Sequence, residues 1–244
     1  MKSRVRKFHS FMAAKEHPHK DITPDVFYKN RFTKVSFVMV ASLSILSINT
    51  FSLYLYFEKI LSIFWVINAI NILTVIIFSA GLYFVPYHIR HYGLHKEKMG
   101  RNVLIGLCVG LALFVPACWY RSVMLHNGYD IYRISITAGS IVNLLLLYPL
   151  SAFIQELVVK GYLQTALVSI FGKKKSGKFA AIILSSLVFC QLHIHYNMYM
   201  PHIILFAFLF SVVTGYIFEK TRSVIGITVI HYLCGAAMTA FLTL

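Results

Sequence analysis

The sequence predicts an all-α protein that crosses a membrane repeatedly, as a polytopic bundle of about seven helices. Hydrophobic residues make up 58% of the chain, and its mean hydropathy is +0.72. The apolar residues come in blocks of about 20, the length that a helix needs to cross the hydrocarbon core of a bilayer. The 23 Lys and Arg residues collect in short segments beside these blocks, against only 8 acidic residues. This charge pattern favours a membrane protein and argues against a nucleic-acid partner.

Seven apolar segments are predicted as spans, and six to eight spans fit the same hydropathy pattern. In chain order the segments are 35–57, 61–85, 103–120, 135–170, 178–195, 200–218 and 223–244. The fourth is long for one crossing, so we expect it to tilt or to break near Pro149, which lacks a backbone N–H. The sequence thus predicts a basic tail over 1–34 and a single transmembrane domain over 35–244.

The basic residues also predict the orientation of the bundle. Of the 23 Lys and Arg residues, nineteen fall in segments on one predicted side of the membrane, which are 1–34, 86–102, 171–178 and 219–222. Short loops rich in Lys and Arg stay on the cytoplasmic side. We therefore expect a multi-pass protein of the cell membrane with a cytoplasmic N-terminus, whose basic tail is solvated or contacts anionic membrane lipids.

Ionisable side chains interrupt the apolar segments of the C-terminal half. Glu156 lies deep in such a segment, where an ionisable group costs roughly 2.5–3.5 kcal/mol. Lys160 follows at the i,i+4 spacing of a helical ion pair, so one interpretation is a self-neutralising pair that fixes helix packing. Counted from the cytoplasmic loops at about 1.5 Å per residue, Glu156 lies at a depth of roughly 25 Å, His193 of roughly 22 Å and His231 of roughly 13 Å. Three helices can therefore bring a carboxylate and two imidazoles into one cavity.

Such a cavity can support two kinds of chemistry. A carboxylate can take a proton from water while a histidine assists, with a further donor at the oxyanion, which is the chemistry of hydrolysis. Two histidines and one carboxylate, here His193, His231 and Glu156, can also hold zinc. The residues leave the metal-dependent and the metal-free mechanism open. The 4 cysteines show no paired spacing, so a cysteine-based zinc site is not expected.

Over residues 135–244 the chain resembles the CAAX-protease and bacteriocin-processing intramembrane proteases, the CPBP or Abi family. The family's motifs are E-E-x-x-x-R, F-x-x-x-H and H-x-x-x-N or D, in that order along the chain. The matching positions here are Gln155, Glu156, Lys160, Phe189, His193, His231 and Gly235. The resemblance implies an intramembrane endopeptidase that acts near the cytoplasmic face. Its substrate would be a membrane-associated, hydrophobic or lipidated peptide or protein.

The chain departs from these motifs at polar positions. Gln155 replaces the first Glu, to which the family's activation of water is assigned, and an amide cannot act as that base. Lys160 replaces Arg and lacks its planar fork. Gly235 replaces the Asn that helps to bind the oxyanion. Catalysis would then need Glu156 as the base, with Gln155 or a backbone N–H at the oxyanion.

Two functions follow from this pattern, besides a purely structural role of the polar residues in holding the bundle together. The first is a protease with Glu156, His193, His231, Gln155 and Lys160 as its candidate catalytic residues. The second is a catalytically inactive relative that binds a peptide or a partner membrane protein, in bacteriocin immunity or regulation.

The charge asymmetry makes the orientation testable in intact cells. A Ser176→Cys variant should react with a membrane-impermeant maleimide only after permeabilisation, because Ser176 lies in a predicted cytoplasmic loop. Lys59→Cys, on the predicted outer side, is the matched control and should react in intact cells. The unsubstituted chain measures labelling of the native cysteines. Reaction of Ser176→Cys without permeabilisation would contradict the predicted orientation.

Overall fold

Helices account for all the regular secondary structure in the part of the chain that the computed structural model describes. That part comprises residues 31–60, 69, 71–73, 75–77, 79–80, 92–128, 143–194 and 202–239. The prediction of an all-α membrane bundle is confirmed. Most of the predicted tail 1–34 and of the predicted span 61–85 lies outside the described residues, so the tail and the count of about seven spans stay predictions.

The helices are numbered here in chain order, with π1 and π2 for the π-helical segments. They are α1 Arg31–Phe57, α2 Met99–His126, π1 Asn143–Leu147, α3 Tyr148–Glu156, π2 Leu157–Gln164, α4 Thr165–Phe171, α5 Lys175–Gln191, α6 Ile203–Thr221 and α7 Val224–Thr239. Within the described ranges, three helices are long and apolar enough to cross a membrane: Met99–His126, Leu144–Phe171 and Ile203–Thr221. Val224–Met238 is a shorter apolar helix.

The long predicted span around Pro149 changes helix type instead of breaking. Residues Asn143–Leu147 are π-helical, and Pro149 stands at the start of the α-helix that follows, where Leu147 still has right-handed helical angles. In a π-helix each hydrogen bond joins residues five apart instead of four. The bonding pattern therefore shifts just before Pro149, which has no backbone N–H to donate. A second π-helical stretch, Leu157–Gln164, follows directly after Glu156.

The outward face of α6 is apolar. Leu205, Leu209, Val213 and Tyr216, spaced by three or four residues, are all at least 40% exposed. The opposite face buries small and polar residues instead, among them Ser211 at 0% exposure. A helix of a water-soluble protein shows the reverse distribution. The arrangement therefore fits a helix with lipid outside and a polar cluster inside the bundle.

Helices α2 and α7 approach closely because both carry glycine at their contact. A Cβ on Gly106 would lie 2.4 Å from the carbonyl oxygen of Gly226, and a Cβ on Gly226 would lie 2.7 Å from that of Asn102. A Cβ on Gly110 would lie 2.6 Å from Leu233 Cδ1. In a bilayer, close backbone packing supplies the van der Waals energy that holds helices together. Helix α2 thereby fixes the helix that bears His231.

Arg121 secures the far end of the same contact. Its side chain is 2% exposed, and Nη1 donates to the carbonyl oxygen of Met238 in the last turn of α7. The last carbonyls of a helix lack partners within the helix and carry partial negative charge. The buried guanidinium is therefore placed where it satisfies one of them.

The segment before α2 locks the turn between α6 and α7. The Gly93 carbonyl accepts from the Val224 N–H at 3.2 Å, and His95 Nε2 donates to the Arg222 carbonyl at 2.7 Å. A Cβ on Gly161 would lie 2.6 Å from the carbonyl oxygen of Tyr92. The same segment thus packs on π2 and on the start of α7, which sets these two elements beside each other.

The glycine contact predicts a position-specific loss of stability. Gly106→Ala should lower the melting temperature of the purified protein in detergent, because the added Cβ must displace the backbone of α7. Overpacking of this kind costs about 1–3 kcal/mol. Gly100→Ala is the matched control, since nothing lies within 4 Å of a Cβ at that helical position. It should leave the melting temperature unchanged or raise it, because alanine favours the helix. Equal effects at both positions would contradict the close contact.

Candidate active site

Glu156 and His231 form a buried pair between α3 and α7. Nδ1 of His231 lies 2.9 Å from Oε1 of Glu156, and the residues are 5% and 0% exposed. An ionised carboxylate can only accept hydrogen bonds. Opposite such a group, Nδ1 is the protonated ring nitrogen and donates a hydrogen bond to Oε1. The bond fixes both the tautomer and the orientation of the imidazole. Two of the residues predicted from their depth thus meet directly.

The second oxygen of Glu156 makes no hydrogen bond to the described part of the protein. Oε2 is buried, and no donor of those residues lies within reach. Buried polar atoms nearly always have a partner, so an exception marks a place where a water, a ligand or a reacting group belongs. Glu156 is therefore held through one oxygen and presents the other for chemistry.

His193 completes the predicted trio from the C-terminal end of α5. Its ring centroid lies 6.0 Å from that of His231, and it stacks on Phe189 at 4.4 Å. Nδ1 donates to the Phe189 carbonyl oxygen at 3.0 Å. In a neutral imidazole this bond leaves Nε2 unprotonated, so Nε2 is the acceptor nitrogen of His193.

Aromatic rings surround the imidazole of His231. Phe189 and Phe210 meet it edge to face at 5.4 and 5.5 Å between centroids, and Tyr148 does so at 6.3 Å. These rings restrict the imidazole to one orientation and lower the local dielectric constant around the Glu156–His231 pair. The sequence indicated Phe189 through its motif, whereas nothing in the sequence pointed to Phe210 or Tyr148.

Lys160 makes no direct salt bridge with Glu156, so the contact expected of an i,i+4 ion pair is not formed. Its ammonium donates to the carbonyl and the hydroxyl oxygen of Ser211 at 2.8 and 2.6 Å and to Ser186 Oγ at 3.4 Å. Lys160 belongs to the π-helix that begins at Leu157. Its three N–H donors are taken up by oxygens of Ser186 in α5 and Ser211 in α6, so neighbouring helices satisfy the ammonium group in place of the carboxylate.

Phe189 lies between the ammonium group and the imidazoles. Lys160 Nζ is 6.0 Å from the centroid of the Phe189 ring, which itself contacts His193 and His231. An ammonium has three N–H donors, and the serine oxygens offer three acceptors. Lys160 therefore lies behind the Phe189 ring, and its N–H donors bind serine oxygens instead of the Glu156 carboxylate.

Gln164 extends the same polar cluster by about one turn. Its amide donates to the Gly215 carbonyl at 2.9 Å and accepts from Ser185 Oγ at 3.4 Å. A Cβ on Gly215 would lie 2.9 Å from Gln164 Oε1 and 3.2 Å from Lys160 Nζ. Glycine is needed here because the buried Lys160 and Gln164 press against α6. The serine partners were not identified from sequence, since single serines are common in apolar helices.

Gln155 takes part in a different contact. Its amide nitrogen donates to Asn71 Oδ1 at 3.4 Å, and Ser151 Oγ donates to the same oxygen at 3.2 Å. The structure thus brings Glu156, His193 and His231 together. It gives Lys160 and Gln155, the other two predicted site residues, hydrogen-bond partners of their own.

The zinc set considered from sequence is not assembled among the described residues. That part of the chain contains no group of three His, Cys, Asp or Glu side chains placed to hold a metal ion. Within the trio, His231 Nδ1 and Glu156 Oε1 bind each other, and His193 Nδ1 binds a backbone carbonyl.

These features define a class of protein: a membrane-embedded helical bundle with a carboxylate–histidine site buried among its C-terminal helices. The model of the family described as Type II CAAX prenyl endopeptidase Rce1-like matches residues 137–237. Since Glu156, His193 and His231 all lie in this segment, the match confirms the resemblance to the CAAX-protease family drawn from the motifs. The chain matches no curated protein and no solved structure.

The hydrogen bonds of Lys160 to Ser186 and Ser211 predict that the stability effects of two substitutions are coupled. Ser211→Ala should lower stability by about 1.5–3 kcal/mol, because it leaves a buried ammonium short of an acceptor. Lys160→Met combined with Ser211→Ala should lose less than the sum of the single variants, since the charge that needs the acceptor is gone. Thermal unfolding in detergent measures both effects. Ser176→Ala, at an exposed position in the first turn of α5, is the control and should leave stability nearly unchanged. Losses that simply add in the double variant would contradict the hydrogen bonds of Lys160.

Proposed function

We propose that this protein is an intramembrane endopeptidase of the CAAX-protease type, with Glu156 as its general base. The observation that carries the proposal is the carboxylate that His231 holds through Oε1, while Oε2 is buried and accepts no hydrogen bond from the described part of the chain. A general base needs a fixed oxygen within hydrogen-bond reach of the proton that it removes. The family match supports a membrane protease of this type.

The steps assigned to the chain begin with a water molecule that donates one hydrogen to Glu156 Oε2. The water oxygen attacks the carbonyl carbon of the scissile peptide bond as its proton passes to Oε2. The carbonyl electron pair moves to oxygen and gives a tetrahedral oxyanion. When the C–N bond breaks, the proton on Glu156 passes to the departing nitrogen, which leaves as an amine and restores the carboxylate.

The two histidines orient the reactants in this scheme. With Nδ1 protonated on both rings, Nε2 of His231 and Nε2 of His193 are acceptors that can hold the second hydrogen of the water. His231 also keeps Glu156 from rotating, through the 2.9 Å bond. Orientation of this kind contributes to the rate because the reacting atoms start near their attack geometry.

We propose a membrane-associated substrate, either a hydrophobic peptide or a lipidated protein, that is cut near the cytoplasmic face. The position of the site among membrane helices and the family match support this substrate class. The basic segments support a multi-pass protein of the cell membrane with a cytoplasmic N-terminus, in contact with anionic lipid.

A specific observation favours the second candidate function, a catalytically inactive relative that binds a peptide or a partner membrane protein. Gln155 stands where the family has its first Glu, and its amide donates to Asn71. A position that carries charge in an active family member would then serve helix packing here. Such a protein could act in bacteriocin immunity or regulation.

A cleavage assay on two variants separates these functions. Glu156→Gln should lower the cleavage rate by about 10²–10⁴-fold, the usual contribution of a general base. Gln155→Glu should raise it, because it restores the acidic pair of the family motif. The assay uses a panel of quenched-fluorescent peptides, farnesylated at a Cys-aliphatic-aliphatic-X end or unmodified, with purified protein in detergent.

The matched control is Glu58→Gln, the same substitution at an exposed acidic residue, which should keep the wild-type rate. Cleavage that survives in Glu156→Gln would contradict Glu156 as the base. No cleavage by the wild-type chain, together with an immunity or signalling effect that Glu156→Gln retains, would favour the binding protein.

A further inference from the structure

Helix α3, which ends at the proposed general base, is a short α-helical segment between two π-helices. It has nine residues, Tyr148–Glu156, and the π-helices Asn143–Leu147 and Leu157–Gln164 adjoin it on either side. The regular i to i+4 bonding is therefore interrupted at both of its ends. We expect the rotation of such a segment about its axis to be set by its contacts with other helices.

Two hydrogen-bonded contacts hold α3 on adjoining faces. His231 of α7 binds Glu156 Oε1 at 2.9 Å. Gln155, the preceding residue, points about 100° away from Glu156, and its Nε2 donates to Asn71 Oδ1 at 3.4 Å. Ser151, one turn before Gln155, donates to the same oxygen at 3.2 Å. A single amide oxygen therefore binds one face of α3 at two successive turns.

Asn71 comes from a part of the chain that the family match does not include, since the match begins at residue 137. It lies in the predicted span 61–85, of which residues 71–73 are helical. The side chains of Asn71, Ser151 and Gln155 are half-buried. Apolar packing would also hold two helices together at such a depth, but hydrogen bonds additionally require a direction. The contact therefore fixes how α3 is turned, as well as where it lies.

We propose that Asn71 is a positioning residue. By binding Ser151 and Gln155 it fixes the rotation of α3 and keeps the Glu156 carboxylate turned toward His231. Asn71 acts through α3 and needs no contact with the substrate. Its effect on the reaction rate rests on the proposed peptidase function, whereas its effect on the rotation of α3 does not.

The first test measures the rotation of α3 without a substrate. Ala152 is 1% exposed and lies one turn before Glu156, on the same face of the helix. In the purified protein in detergent, Ala152→Cys should react slowly with a maleimide. Adding Asn71→Leu should speed this reaction about tenfold or more, because the loss of two hydrogen bonds makes other rotations of α3 accessible.

Leu150→Cys is the matched control on the same helix. Leu150 is 55% exposed, so this cysteine should react quickly with and without Asn71→Leu. Mass spectrometry of the peptide that carries the new cysteine separates its labelling from that of the native cysteines, among them the exposed Cys108. Equal labelling of Ala152→Cys with and without Asn71→Leu would overturn the proposal. Faster labelling at both positions would indicate general loosening and would overturn it as well.

The second test measures cleavage. Asn71→Leu should lower kcat about 10- to 100-fold with KM nearly unchanged, because the base is displaced while the substrate contacts stay. Asn71→Asp keeps an acceptor oxygen for both donors and should recover most of the lost kcat. Asn127→Leu, the same substitution at an exposed asparagine, is the control and should keep the wild-type kcat. Asn71→Ala, which adds no bulk, gives the same comparisons if Asn71→Leu does not fold.

A double-variant cycle tests whether Asn71 acts through this face of α3. Ser151→Ala with Gln155→Leu removes both donors to Asn71 Oδ1. Adding Asn71→Leu to that pair should lower kcat little further, because the contact is already lost. Losses that multiply in full would show that Asn71 acts by another route, and would contradict the proposal.

The outcomes separate this inference from the function on which its kinetic part rests. If the wild-type chain cleaves none of the peptides, the proposed peptidase falls, and the labelling of Ala152→Cys still decides whether Asn71 fixes α3. If the wild-type chain cleaves and Asn71→Leu keeps the wild-type kcat, the positioning role is overturned while Glu156 stays the base. Selective labelling at position 152 together with the loss of kcat establishes Asn71 as a positioning residue.

Discussion

The hydrogen bond between Glu156 and His231 is the constraint on which the rest of this bundle depends. A carboxylate among membrane helices is costly unless a donor meets it, so α3 and α7 must approach until the imidazole reaches Oε1. That approach requires the glycine contact between α2 and α7, which places α7 at short range. It also requires the rings of Phe189 and Phe210, which fix the imidazole in the direction of the carboxylate.

Phe189 divides the buried polar groups into two layers with different roles. On one side, Glu156, His193 and His231 offer acceptors and a carboxylate oxygen that no described residue occupies. On the other side, the Lys160 ammonium has its hydrogen bonds met by serine oxygens, and Gln164 is bonded on both ends of its amide. A layer whose hydrogen bonds are all made stabilises the packing of the bundle. A layer that keeps an acceptor without a hydrogen bond can bind water or a reacting group.

Glycine stands opposite polar side-chain groups at two contacts in this region. Gly215 makes room for Lys160 and Gln164, and Gly235 makes room for the Tyr148 hydroxyl. In each case the missing Cβ lets a polar group rest directly against a helix backbone, where carbonyl groups can serve as partners. The replacement of a motif residue by Gly235 therefore changes the shape of the site as well as its composition.

The sequence by itself determined the all-α membrane class, the positions of most described helices and the membership of Glu156, His193 and His231 in one site. Block length, charge placement and motif order are properties of the chain that need no partner. Only the tertiary structure decided the partner of Lys160, the position of the Tyr148 hydroxyl and the burial of Arg121. The physical reason is that an i to i+5 register leaves no mark in apolar periodicity, and contacts such as Tyr148 with Gly235 join residues that only helix packing brings together.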